Sequence, residues 1–160
     1  MVRKPGRVYA DTSVFGGVLD QEFAEASRLL FEQVREGRFS LFASVLVQDE
    51  LEAAPTEVRA VFTEMLDLAT IVELSPEVLV LRQAYLNARI VAPRSANDAL
   101  HVAMATVSGC RMMVSWNFRH IVHFQKIPLY NAVSVLHGYD ALAICSPPEV
   151  IHYEDEGEDV

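Results

Sequence analysis

Short apolar runs rich in β-branched and aromatic residues alternate along this chain with longer stretches of helical period. The first run, Val8-Tyr9-Ala10, ends at Asp11-Thr12-Ser13 and Gly16-Gly17. It reads as a buried strand running into a loop. Residues 22–36 place Phe23, Ala26, Leu29, Leu30 and Val34 at helical spacing, and Gly37 stops the helix. A second strand covers 39–43, and Ser44 serves as N-cap for a helix over 45–54. Another helix covers 55–68 and a third strand 70–74. Ser75-Pro76 opens a helix to about residue 89, with proline at the first helical position. Ser95-Ala96-Asn97-Asp98 opens the helix over 99–107, which is apolar nearly all round and therefore expected in the interior. A fourth strand over 111–114 ends at Ser115-Trp116-Asn117. A helical turn near 118–124, a helical segment 128–138 stopped by Gly138, a strand over 141–145 and a turn at Pro147-Pro148 complete the pattern.

Strands alternating with helices predict a parallel sheet covered on both faces: a three-layer α/β/α sandwich with four or five strands. The 160 residues suit one domain, assigned to 1–152, followed by an acidic tail over 153–160. The net charge is −9, and five acids (Glu154, Asp155, Glu156, Glu158, Asp159) crowd the last seven residues. This balance excludes the basic surface usual in nucleic-acid-binding proteins. At 51% hydrophobic and 22% charged, the composition excludes wholesale disorder. No apolar run approaches the ~20 residues of a membrane span, and the first residues lack the apolar stretch of a signal peptide. Cys110 and Cys145 make no disulfide framework and are expected as buried thiols in a reducing cytoplasm.

Parallel α/β sheets bind ligands at the carboxyl edge of their strands, where the following helices also begin. Asp11 closes the first strand, Glu50 lies little more than a turn into the helix after the second, Asp98 lies in the first turn of the buried helix, and Asn117 follows the fourth strand. Each has an ordinary structural reading: a turn former, a solvated helix position, a helix-dipole partner, a loop residue. Three carboxylates meeting at one edge would repel one another and resist ionisation without a cation. Such a set suits Mg²⁺ or Mn²⁺, which prefer hard oxygen ligands.

The pieces Tyr9-Ala-Asp11-Thr-Ser13, Ser44-Val-Leu-Val-Gln-Asp-Glu50-Leu, Asn97-Asp98-Ala-Leu-His-Val-Ala-Met-Ala105, Val114-Ser-Trp-Asn117 and the closing Gly138-Tyr with Ile144-Cys-Ser-Pro-Pro-Glu-Val, in that order, resemble PIN-domain proteins, close to toxin nucleases of the VapC kind. The resemblance covers the chain to about residue 152. It implies a PIN-like sandwich and a divalent-metal-dependent endoribonuclease, the toxin of a type II toxin–antitoxin pair. It further implies Asp11, Glu50 and Asp98 as carboxylates holding Mg²⁺ or Mn²⁺. Asn117 stands where many relatives carry a further Asp, within a recurring Trp-Asn-Phe-x-His variant, and joins the catalytic set. Thr12 and Ser13 are auxiliary hydroxyls near the metal or the attacking water. Arg94, with Arg89, Arg119 and His120, is a candidate for backbone phosphates, against the plainer reading of exposed surface charge. The implied partners are an RNA substrate, a small antitoxin and a second copy in a homodimer, with no membrane.

Two other functions compete. Asn117 in place of Asp and the acidic balance favour a catalytically weak or inactive PIN-like module that holds RNA or a partner. A phosphatase with Asp11 as nucleophile would want a second Asp two residues on, and that position is Ser13. Trp116 reads as a wall residue before it reads as a base-stacking one. His101 reads as a hydrogen-bonded core or rim histidine, and the other histidines lack zinc spacing with the cysteines. The helices around 23–34 and 58–68 offer either core or a partner surface.

Overall fold

A computed structural model describes residues 5–151. Five strands, β1 (Gly6–Ala10), β2 (Phe39–Ser44), β3 (Thr70–Val72), β4 (Met112–Val114) and β5 (Ala143–Cys145), form one sheet in the order β3-β2-β1-β4-β5. Every pairing is parallel. The direction of winding reverses between β1 and β4, which opens a crevice at their carboxyl ends.

The strand pleat sorts side chains into two cores. Phe42, Tyr9, Met113 and Ile144 sit opposite one another in register and face one helical layer. That layer is α5 (Pro76–Asn87), α6 (Ala96–Val107) and α7 (Lys126–Leu136). Val8, Ala10, Leu41, Ala43 and Val114 face the opposite way. They pack on α1 (Thr12–Gly16), α2 (Ala24–Arg35), α3 (Val45–Glu50) and α4 (Thr56–Met65). The short α8 (Pro147–Val150) follows β5. Phe15 fills the second core between Phe31 and Phe62, with ring centroids 4.8 and 5.4 Å away. Each such side chain contributes roughly 1.5–3 kcal/mol by leaving water. Helix α6 is buried from Ala99 to Thr106, as its all-round apolarity predicts.

Ser44 and Ser75 cap α3 and α5, each accepting a backbone N–H three residues on. Gly37 and Gly138 end helices at φ +80° and +88°, where a Cβ would be strained. Several expectations change. The segment after Asp11 is a helix and not a loop, because Asp11 caps it and Val14 and Phe15 are drawn into the core. Helix α3 stops at Glu50, short of residue 54. The residues near 118–124 form turns without a helix. Cys110 is buried but Cys145 is only half-buried, since β5 is an edge strand. The apolar faces of α2 and α4 are chiefly core through Leu30, Phe31, Val34, Val58, Phe62 and Met65. No helix among the described residues is long and apolar enough to cross a membrane. The acidic tail lies outside the described residues.

Candidate active site at the carboxyl edge

Asp11 follows the central strand and is 3% exposed. Its Oδ1 accepts from the Ser13 amide (3.1 Å) and the Ser13 hydroxyl (2.6 Å), and its Oδ2 accepts from the Ser115 hydroxyl (2.6 Å). Burial pushes the Asp11 carboxyl above its ordinary value, against the lowering effects of nearby His101 and of these hydrogen bonds. Ser115, fully buried beyond the end of β4, also accepts from the Asn117 amide at 2.9 Å. Ser13 in turn accepts from the Trp116 amide at 2.8 Å. The start of α1 and the loop after β4 are thus stitched together by hydroxyls, across the point where the sheet reverses.

Glu50 ends α3 on the neighbouring side of β1. Its Oε1 accepts from the Thr12 hydroxyl at 2.6 Å and from His101 Nε2 at 2.7 Å. Burial pushes its carboxyl up, but the hydrogen bonds from His101 and Thr12 outweigh this and hold it below its ordinary value. Behind His101, Nδ1 meets the buried Tyr9 hydroxyl at 2.7 Å, and Tyr9 meets Ser44 Oγ at 2.8 Å. The structure therefore brings Asp11 and Glu50 to one edge, each held by its own hydroxyl from α1, with His101 bonded to Glu50 and near enough to Asp11 to lower its carboxyl.

Asp98 sits half-buried in the first turn of α6, three residues before His101. Residues at that spacing share a helix face, so Asp98 lies one turn further toward the edge than the group that touches Glu50. It makes no side-chain hydrogen bond among the described residues, and its charge is felt by Tyr130, whose phenol burial already pushes up. Asn117 turns Oδ1 to the His120 amide at 2.9 Å and caps the turn that follows. Arg94 is exposed in a short 3₁₀ turn (Pro93–Ser95) just before α6. Arg89 is also exposed, and takes φ +59° after α5, a position that favours glycine. Among the described residues, no three His, Cys, Asp or Glu side chains stand together so as to hold a metal ion.

Trp116 is a wall residue. Phe23 stacks on it at 4.1 Å with an interplanar angle of 13°, and its Nε1 donates to Ser27 Oγ at 2.8 Å. A Cβ on Gly17 would run into both partners of that hydrogen bond. Ser115 and Tyr9 entered the site unannounced by the sequence, although both lie inside quoted motifs. His101 is a hydrogen-bonded interior histidine, as expected, but one that holds a candidate catalytic carboxylate.

No protein-family model matches this chain, and no curated protein matches it by sequence. Solved structures do match in fold. A chain in the crystal structure of VapBC2 from Rickettsia felis, bound to a DNA fragment from their promoter, superposes with a TM-score of 0.57 at 13% identity, covering 86% of this chain and 98% of that one. A chain in the crystal structure of FitAcB from Neisseria gonorrhoeae superposes with a TM-score of 0.55 at 14% identity, covering 89% and 99%. At these identities the likeness is one of fold: a five-stranded parallel sheet between helical layers, consistent with a PIN-like domain.

Proposed function

We propose that this PIN-like chain is a divalent-metal-dependent endoribonuclease, acting as the toxin of a type II toxin–antitoxin pair. The observation that carries the reading is the arrival of Asp11, at the end of β1, and Glu50, at the end of α3, on successive hydroxyls of α1, Ser13 and Thr12, at the carboxyl edge of the sheet. The fold likeness to a chain of VapBC2, whose name matches the sequence resemblance, supports it.

The donor chemistry suits a hard cation. The available atoms are carboxylate oxygens, and Glu50 Oε2 and both oxygens of Asp98 have no hydrogen-bond partner among the described residues. Buried Asp11 resists ionisation, and a nearby cation would relieve that cost. Holding the ion with Asp11, Glu50 and Asp98 would require the three carboxylates to draw closer than they stand, since no such group of three is assembled among the described residues. Bound Mg²⁺ or Mn²⁺ supplies positive charge to phosphate oxygens and acidifies a water for attack on phosphorus.

The chain's own groups do the rest. Thr12 and Ser13 donate their hydroxyl protons to Glu50 and Asp11, so they orient carboxylates. Exposed Arg94 offers a cation to backbone phosphates beside the Asp98 helix turn. A small antitoxin and a second copy are the proposed partners in the cytoplasm. Exposed Leu79, Val80, Leu129, Val135 and Leu136 on α5 and α7 offer apolar area for such contacts.

The second reading, a catalytically weak or inactive RNA- or partner-binding module, draws on Asn117. Its Oδ1 is committed to a turn, and it brings no charge to the site. Cleavage of RNA with Mg²⁺ or Mn²⁺, run beside Asp98→Asn, separates the two. Metal-dependent cleavage lost in the variant is the expected result. Equal cleavage by both proteins overturns the nuclease reading, and RNA binding without cleavage by the wild type favours the module.

A further inference from the structure

His101 is 3% exposed in the middle of α6, and both of its ring nitrogens are engaged. An imidazole so placed has no lone pair to offer a cation and no open path for a proton. Its contribution to the site is geometric.

The protons of the surrounding groups run one way. Ser44 Oγ accepts the Val47 amide as the cap of α3, so its own proton is free to go to Tyr9. Tyr9 is buried and accepts from Ser44, so its own hydroxyl proton goes to His101 Nδ1. Nδ1 as acceptor places the imidazole proton on Nε2, which donates to Glu50 Oε1. The chain of donors begins at the residue that caps α3 and ends at the last residue of α3. Both ends of this helix are therefore tied through β1 and α6 by one buried circuit. Thr12 adds a second donor to the same Oε1, and Oε2 is left without a partner among the described residues.

We infer that His101 is a positioning residue for Glu50: with Thr12 it occupies Oε1 and reserves Oε2 as the single oxygen available to a divalent cation. The inference rests on the metal-dependent reading of the site. Partners of this kind, one bond removed from a metal, typically change metal affinity or activity about 10–100-fold when lost.

Direct Mn²⁺ titration by calorimetry, with no RNA present, is the test, applied to the wild type, His101→Ala, His101→Gln and Tyr9→Phe. His101→Ala is expected to bind Mn²⁺ about 10–100-fold more weakly, and to cleave RNA with lower kcat at unchanged KM. His101→Gln, whose amide can still donate to Glu50, is expected to recover most of the affinity. Tyr9→Phe keeps the packing but frees the imidazole to change tautomer, and is expected to weaken binding less than His101→Ala. Wild-type affinity in a folded His101→Ala overturns the role of His101 and leaves the metal reading intact. If His101→Ala does not fold, Tyr9→Phe decides: weakened binding supports the role, and wild-type affinity overturns it. A wild type that takes up no Mn²⁺ overturns the metal reading and the role of His101 with it.

Discussion

The two halves of the edge are built differently. Around Asp11 and Glu50, Thr12, Ser13, Ser115 and His101 each give a proton to a carboxylate, at 2.6–2.7 Å. Around Asp98 and Asn117, the acid has no hydrogen-bond partner among the described residues and the amide is spent on a turn. Asp11 and Glu50 are fixed before anything binds, and Asp98 is not. Pre-oriented carboxylates avoid ordering costs when they meet a ligand, whereas an unpartnered acid keeps its lone pairs for the ligand itself.

The sharpest way to break this comparison is to neutralise one acid in each half. Asp11→Asn and Asp98→Asn should both lower cleavage by more than about 100-fold, beyond what loss of a metal ligand's supporting partner costs. Their stabilities should part company. Burial raises the Asp11 carboxyl, so its contribution to stability is full below the ordinary carboxylate range and is lost as pH rises through its own higher value. Asp11→Asn removes that loss. Because an amide nitrogen then replaces one of the oxygens that accept from Ser13 and Ser115, the melting temperature should fall, but should vary less between acid and neutral pH than the wild type's. Asp98→Asn, with no partner to lose, should stay within about 0.5 kcal/mol. Equal thermal shifts would erase the distinction between the halves.

Ser115 joins them. Ser115→Ala leaves Asp11 Oδ2 and the Asn117 amide without their partner. Denaturant unfolding should show a loss of about 1–3 kcal/mol, with cleavage falling as Asp11 loosens. Glu50 supplies an opposite pH slope. Its lowered carboxyl contributes stability that is present above the unfolded value and lost as pH falls through the folded one. Acid titration of Glu50→Gln should therefore show a shallower fall in stability than the wild type.

The smallest effect sharpens the open half. Asp caps a turn about as well as Asn, so Asn117→Asp should change stability by less than about 0.5 kcal/mol. It should tighten Mn²⁺ binding in a calorimetric titration by restoring a charge. Unchanged affinity would place residue 117 outside the metal's reach.

The layered fold was legible because strand and helix periods differ and because Ser44, Ser75, Gly37 and Gly138 punctuate them. Helix α1 was not, since Thr-Ser-Val-Phe-Gly has loop-like polarity and its one turn exists through the Asp11 cap and the burial of Val14 and Phe15. In the site, Asp11 was foreseeable from its place at the end of a strand and Glu50 from its place in the helix that follows the next one. The bonds from Tyr9 to His101 and from Ser115 to Asp11 span 92 and 104 positions. Nothing local in the chain announces such a bond, because it depends on the order in which the strands lie side by side.

That order has a temporal consequence. β1 is synthesised first yet stands in the middle, and its second neighbour arrives only when Val8 can meet Met112. A ribosome that has reached only residue 100 has made Asp11, Glu50 and Asp98, but not the Ser115 hydroxyl that holds Asp11 Oδ2 or the strand β4 whose Val114 carbonyl accepts the Asp11 amide. A product interrupted there carries three of the four proposed catalytic side chains in an unfinished cleft, and competence waits on β4 and Ser115.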